Sequence, residues 1–377
     1  DGIRVRDVTG VQTVLFRSIV GEEKMSVYVR LGIRLLYKGS SAIQKKKAKK
    51  LLKKMTFKRG KYYDSEASLR DIAPFIKFHQ LDMTECLLPI NQCKTFNEFF
   101  YRKLVKDARP VAAPGNNNII SSAADCRCTA FNSISSAMKI WIKGKGFTIN
   151  KLFAGRHPDV MKLFEHNCSV AIFRLAPQDY HRFHSPVDGI VGKPEFIEGE
   201  YYTVNPMAIR SHLDVFGENC RCIIPIETKL FGTVVVIPVG AMMVGATILS
   251  VKEGDEISRG DELGYFKFGG STLLLLVQQN KILFDSDLTN NSMQGIETLV
   301  KVGMSVGHSI EAQELEREVR NFESEPEHVK LRIIRTITGT SNGSTNLDDL
   351  RSLSWEASNL RINDKEWGDL EENFGIL

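Results

Sequence analysis

Gly264-Tyr265-Phe266-Lys267-Phe268-Gly269-Gly270-Ser271-Thr272-Leu273-Leu274-Leu275-Leu276-Val277 is the stretch on which both the fold and the chemistry of this chain turn. Its flanks, Gly264–Phe268 and Thr272–Val277, have the length and apolar character of buried strands, and a glycine pair lies between them. Runs of the same texture recur at Val170–Leu175, Gly189–Val191, Cys222–Ile226, Thr233–Val239 and Thr247–Val251, divided by Gly, Pro and Asn. Short strands at that spacing predict a mostly antiparallel sandwich or barrel-like domain over residues 119–308. Residues 65–108 read as helical, with Phe96, Phe99, Phe100 and Leu104 spaced to share one helix face. The expected fold class is therefore α+β.

The 377 residues carry a formal net charge of +5, but unevenly. Residues 311–377 hold 15 acidic and 8 basic side chains, a net of −7, which leaves +12 for the rest. Between Lys38 and Tyr63 there is no acidic residue, and the run Lys45–Arg59 interleaves Leu51, Leu52, Met55 and Phe57 with lysines. Upstream, Tyr28–Tyr37 alternates apolar and basic residues at near-helical spacing. A basic amphipathic helix suits an anionic bilayer surface. Nucleic acid is not the expected partner, because neither stacking aromatics nor a recognised binding module accompanies the charge. No apolar run reaches 18 residues, so no membrane-spanning helix is expected. The seven cysteines lack the spacing of a small secreted domain and suggest reduced thiols facing the cytosol. The pairs Cys126/Cys128 and Cys220/Cys222 read as ordinary strand residues, and no metal site is expected. A chain that starts at Asp1 reads as a fragment or a processed form. Three regions follow: a basic membrane-facing segment over 1–64, a β-rich domain over 65–310, and an acidic, largely disordered tail over 311–377.

Gly-Ser-Thr occurs twice, at Ser271 and at Ser344, and context separates the two. Ser344 lies in a polar linker, whereas Ser271 lies between two strands with a glycine peptide just before it. A glycine leaves its carbonyl accessible and its backbone free to adopt strained dihedrals. A nearby base can then help the Ser271 hydroxyl attack the Gly270 carbonyl. The resulting ester eliminates across Cα–Cβ, and hydrolysis leaves a ketone, a pyruvoyl group, at a new amino terminus. The second candidate segment, Leu175–Gly189, holds His181 and His184 beside Asp179 and Arg182. They read as a His-x-x-His metal pair lacking a third ligand, as loop histidines, or as bases titrating near neutrality. The third, Ser121–Cys128, holds Asp125, which is either a turn residue or the orienting carboxylate of an Asp-His-Ser arrangement with His184 and Ser271.

These three segments, in this order, resemble the phosphatidylserine decarboxylase family over about residues 68–308. Lys94–Leu104, Ile142–Phe147, Tyr202–Pro206 and Gly264–Phe268 also resemble family segments, and Gly-Gly-Ser-Thr after a basic stretch resembles the eukaryotic endomembrane form. The resemblance implies self-cleavage between Gly270 and Ser271 into chains 1–270 and 271–377, the smaller beginning with a pyruvoyl made from Ser271. It implies that His184 is the processing base with Asp125 as partner, and that His181 positions substrate or delivers a proton. Catalysis would run through a Schiff base with phosphatidylserine, releasing CO2 and phosphatidylethanolamine. It further implies a homodimer, peripheral on an endomembrane (Golgi, endosome or vacuole) and facing the cytosol. The sequence departs from the family pattern at Ala123 and Cys126, beside Asp125, and at Gly269, where many members carry a bulkier aliphatic residue.

Three other readings compete. Val251–Leu263 is similar to the hammerhead of biotin- and lipoyl-carrier domains, but no Met-Lys hairpin for the acceptor lysine is evident. A serine hydrolase would use the same three residues, yet Ser271 is not in a Gly-x-Ser-x-Gly elbow. A non-enzymatic lipid-binding protein would bind anionic vesicles and release no CO2.

Overall fold

Leu273 to Val277 are apolar at every position because the strand that contains them is covered on both faces. In the computed structural model, which describes residues 3–5 and 42–310 except 143–146, 205–208, 210–212, 242–245 and Gly270, that strand is Ser271–Gln278. The chain divides into two units, Asp1–Gln313 and Glu314–Leu377, and the described residues all belong to the first. The expectations for residues 28–37 and 311–377 lie outside the described residues.

Ser271–Gln278 pairs antiparallel with Cys168–Leu175 on one side and Thr233–Gly240 on the other. Beyond the first lie Cys126–Phe131, Glu297–Val300 and Ile3–Val5; beyond the second lie Arg221–Glu227, Gly189–Val191 and Glu256–Ile257. Glu195–Ile197 also pairs with Arg221–Glu227. Ile3–Val5 runs parallel to its neighbour, and the other paired strands are antiparallel. The strand order is an open path, which corrects the barrel-like alternative: the sheet does not close on itself. Two three-stranded sheets accompany it. One joins Thr247–Leu249, Glu262–Phe266 and Arg182–His184; the other joins Ile282–Phe284, Ser305–Ser309 and Ile119–Ser121.

Successive side chains of a strand point to opposite faces, and the two cores follow that alternation. Leu273, Leu275 and Val277 pack with Phe183, Leu263 and Phe266 from one small sheet and Ile282, Phe284 and Val306 from the other. Leu274 and Leu276 pack on the opposite face with Trp141, Leu152, Phe153, Phe164 and Phe216, contributed by short helices and their connections. One face is thus a β sandwich and the other a helix-covered layer, an α+β arrangement. Each of these buried side chains contributes roughly 2 kcal/mol through removal of apolar surface from water. Cys126, Cys128 and Cys222 are buried strand residues, and all seven cysteines are free thiols.

Helical elements precede the sheet: Ala42–Tyr63, a 3-10 turn at Glu66–Asp71, Ile72–His79 and Phe96–Phe100. The last begins where Thr95 Oγ1 accepts the Glu98 N–H at 3.2 Å while Glu98 Oε2 accepts the Lys94 N–H at 2.7 Å. It stops at Phe100, so Leu104 lies beyond it, in a bridge with Cys86. Phe96, Phe99 and Phe100 form a third apolar cluster with Tyr63 and Ile72, and Phe268 packs on it.

The helix Ala42–Tyr63 holds the Lys45–Arg59 run, and the side chains of 42–49, 51 and 52 lie outside the described ones. Met55 and Phe57 are both exposed but two positions apart, which puts them about 160° from each other around the axis. Lys53, Lys54 and Lys58 are exposed beside them, so Phe57 lies among lysines on the side away from Met55. Among the described residues, no helix is long and apolar enough to cross a membrane.

Candidate active site

The strand pairing gathers the three candidate segments at one end of the large sheet. Ser271 opens its strand opposite Leu175 on one side and Gly240 on the other. Leu175 ends its own strand, so the chain leaves the sheet beside Ser271 and runs through Tyr180 and His181 into Arg182–His184. Cys126 opens the next strand over, which puts Asp125 at the same end. The His184 N–H donates to the Ala123 carbonyl at 2.8 Å and joins the second segment to the third. By strand alternation, Ser271 lies on the sandwich face with Leu273, towards the small sheet that carries His184, and Thr272 lies on the helical face.

Ser271 is wholly buried, and among the described residues its Oγ has no hydrogen-bond partner; the Thr272 hydroxyl is in the same condition. Such buried, unsatisfied hydroxyls are uncommon and point to strain or to chemistry. Gly269, two residues earlier, has φ +144°, a conformation that favours glycine.

His181 is also wholly buried. Its Nδ1 lies 2.7 Å from the Asp179 carbonyl, so Nδ1 carries the proton and donates, leaving Nε2 with its lone pair. Nε2 makes no hydrogen bond to the described residues. Burial drives its pKa down to about 3, with the backbones of Asp179 and Gly269 offsetting part of that. The ring lies against Phe100, centroids 3.9 Å apart. It is a neutral base held in a dry place next to the glycine pair.

His184 is oriented differently from the sequence expectation. Its Nδ1 is 2.8 Å from the Gly260 carbonyl, to which it donates, and its Nε2 accepts from the Tyr180 hydroxyl at 3.1 Å. Gly260 therefore stands where Asp125 was expected as the orienting acceptor, and Tyr180 engages the nitrogen expected to face Ser271. Burial lowers the His184 pKa, while the Gly260 hydrogen bond and the charges of Glu262 and Asp125 act the other way. Asp125 itself is held by Arg109. Nε donates to Oδ1 at 2.9 Å and Nη2 to Oδ2 at 2.6 Å, and the Val302 N–H donates to Oδ1 at 2.9 Å. Burial opposes the charge on Arg109, but its hydrogen bonds to Asp125 and Glu85 outweigh it and raise the guanidinium's pKa. Asp125 reaches His184 through its field, not through a hydrogen bond.

The family model for phosphatidylserine decarboxylase matches residues 96–308. The chain is 54% identical to phosphatidylserine decarboxylase proenzyme 2 of Komagataella phaffii over 94% of its own length, and 50% identical to proenzyme 2 of Saccharomyces cerevisiae over 91%. A bacterial phosphatidylserine decarboxylase proenzyme, from Chlamydia muridarum, is 39% identical over 66% of this chain and 81% of its own. The chain belongs to the phosphatidylserine decarboxylase family. It spans 37% and 29% of the length of the two fungal relatives. The part matched by the family model holds Asp125, His181, His184 and Ser271 but begins after Tyr63 and Asp64. Sequence reasoning did not single out Tyr180, Gly260 or Arg109. Tyr180 stands beside His181 in the segment Leu175–Gly189 and could have been weighed there. Gly260 and Arg109 are brought in by pairings 76 and 16 residues apart, for which no local pattern exists.

Proposed function

We propose that the chain is a phosphatidylserine decarboxylase precursor that cuts itself between Gly270 and Ser271 and converts Ser271 into a pyruvoyl group. The observation that carries this reading is the Ser271 hydroxyl, fully buried at the head of the central strand and without a partner among the described residues, in a chain of this family. The names of the relatives, all proenzymes, agree with a processed precursor. The surroundings also fit the group itself. A small ketone in place of the serine side chain accepts hydrogen bonds but has no donor to satisfy, and the site offers a serine-sized, dry position beside a neutral histidine.

In the cleavage, Ser271 Oγ bonds to the Gly270 carbonyl carbon while a base takes its proton, and the C–N bond breaks as the nitrogen is protonated. Loss of the Ser271 Cα proton then expels the Gly270 carboxylate, and water replaces the nitrogen, which leaves as ammonia. His184 is the proposed base for these transfers and must first give up its hydrogen bond from Tyr180. Asp125 favours its protonated form through its charge. His181, with Nδ1–H fixed on Asp179, offers Nε2 for positioning substrate and for taking up and returning a proton. When formed, the pyruvoyl carbonyl supplies an electron sink for an amine-bearing substrate, here phosphatidylserine, which loses CO2 to become phosphatidylethanolamine.

The same reading assigns residues 1–64 to a membrane-facing part, 65–310 to the catalytic domain and 311–377 to an acidic tail. The Lys45–Arg59 region would dock on an anionic endomembrane surface through charge, and the family resemblance adds a homodimer. The test is the intact mass of the wild type and of Ser271→Ala. The wild type should give fragments 1–270 and 271–377, the second without a free amino group, and Ser271→Ala should stay whole. A wild type that persists at full length under native conditions sinks the proposal. His184→Ala should stay whole, whereas His181→Ala should be cleaved and turn over poorly.

A further inference from the structure

The helical elements ahead of the sheet do more than precede it, because they grip the chain just upstream of Gly270. The Phe268 N–H donates to Asn97 Oδ1 at 2.8 Å, and Asn97 Nδ2 donates to Asp64 Oδ1 at 2.8 Å. These two bonds fix which end of the amide points where: an N–H can meet only the oxygen, and a carboxylate only the nitrogen. Asn97 is 1% exposed, so neither bond competes with much water. Lys267 Nζ reaches both Asp64 oxygens at 3.2 Å, which ties the same carboxylate to the residue before Phe268. The Phe268 ring rests on Tyr63, Phe100 and Phe96, with centroids 4.2, 4.9 and 5.2 Å away.

Downstream, Ser271 is fixed by its strand partners Leu175 and Gly240. The backbone is therefore anchored at Phe268 and again at Ser271, with only Gly269 and Gly270 between. A glycine pair has the widest backbone freedom of any dipeptide, so without an upstream anchor the Gly270 carbonyl would sample many orientations relative to the Ser271 hydroxyl. Holding reacting groups in one orientation is worth large factors in rate.

We propose that Asn97, itself held by Asp64, is a positioning residue for self-cleavage at Gly270–Ser271. This rests on the cleavage proposed above and adds that the segment ending at Asp64, outside the span matched by the family model, is part of the processing machinery. The test is a cleavage time course on the full chain, followed by intact mass, for the wild type, Asn97→Asp and the exchange Asp64→Asn/Asn97→Asp. Asn97→Asp keeps the acceptor for Phe268 but sets a carboxylate against Asp64, so cleavage should slow ten-fold or more. In the exchange, the carboxylate placed at position 97 accepts from both the Phe268 N–H and the amide placed at position 64, and the rate should return to within about three-fold of wild type. The same substitutions in a Ser271→Ala background report thermal unfolding, and their order of stability should not reproduce the order of rates. Cleavage of Asn97→Asp at the wild-type rate, or an exchange variant as slow as the single one, overturns the proposal. A wild type that never cleaves overturns the cleavage reading and this inference with it.

Discussion

Replacing Phe100 with alanine should change both stability and the protonation of His181, and the two effects can be read separately. The Phe100 ring is wholly buried, 3.9 Å from the His181 ring and 4.9 Å from Phe268. Truncating a buried phenylalanine costs about 3–5 kcal/mol, a large part of the roughly 5–15 kcal/mol by which a domain is stable. The second effect follows from the cause of the low His181 pKa, which is above all burial. A void beside Nε2, which has no partner among the described residues, is polar enough to hold water, and water restores solvation to the imidazolium. The pKa should then rise from about 3 to about 5, roughly halfway back to the ordinary 6.5. At pH 5 a group with the wild-type value is about 1% protonated, and one at 5 is half protonated. The assay is a histidine NMR titration in the uncleavable Ser271→Ala chain, beside urea unfolding of the same samples. The sign for stability also follows. The folded His181 pKa lies below its unfolded value, so the unfolded chain binds more protons between about pH 6.5 and 3, and wild-type stability falls through that window by about 1.4 kcal/mol per pH unit from this group. A variant that folds yet keeps His181 unprotonated at pH 5 would refute the claim that Phe100 keeps the ring dry.

Further outcomes follow from the other contacts of the site. Among the described residues, Arg109→Met leaves the buried Asp125 carboxylate with the Val302 N–H alone, and should cost about 3–5 kcal/mol in urea unfolding; adding Asp125→Leu should recover part of it, and no recovery would count against a paired-charge origin. Because burial lowers the His184 pKa, its base form persists to lower pH, and the acid limb of the cleavage rate should have its midpoint below 6.5. A midpoint at or above that value would argue that a different group is titrating. Replacing Lys53, Lys54 and Lys58 with glutamine should weaken binding to anionic vesicles and flatten its salt dependence, while an unchanged salt response would remove the basic helix from the docking surface.

The strands most legible in the sequence were those with no solvent face. Thr272–Val277, Val170–Leu175 and Thr233–Val239 lie inside observed strands because both faces demand apolar side chains and leave no ambiguity of period. Glu297–Val300 went unread and Cys126–Phe131 was read only at Cys126 and Cys128, since polar residues such as Arg127 and Glu297 are buried there. Glu297 is satisfied by Arg174, 123 residues away, and that kind of pairing leaves no local pattern. The catalytic candidates were legible as residues, but their hydrogen bonds were not. A Ser, a His and an Asp in three family segments suggested a chain of two hydrogen bonds, and the fold instead ties His184 to Gly260 and Tyr180 and Asp125 to Arg109. On the basic helix Phe57 departs from the apolar face for a simpler reason: Met55 and Phe57 alternate as in a strand, which on a helix sends them to opposite sides.

Why should a chain proposed to cut itself not hold its serine and base already joined? A step performed once per molecule need not be fast. A barrier of about 22 kcal/mol still gives a half-life near half an hour, while a turnover of about 10 per second requires a barrier some 6 kcal/mol lower. The demand for preorganisation therefore falls on the reaction that repeats, and in the proposed mechanism His181 is the residue that meets it, locked in one tautomer, neutral and buried. The Ser271 hydroxyl bears the cost of that bias. An unsatisfied buried hydroxyl is worth about 1–3 kcal/mol of destabilisation, and the proposed conversion to a ketone removes a donor that has no partner among the described residues. On the proposed reading the site is arranged around the product of the cleavage, and the serine occupies it as a precursor whose hydroxyl the described residues leave without a partner.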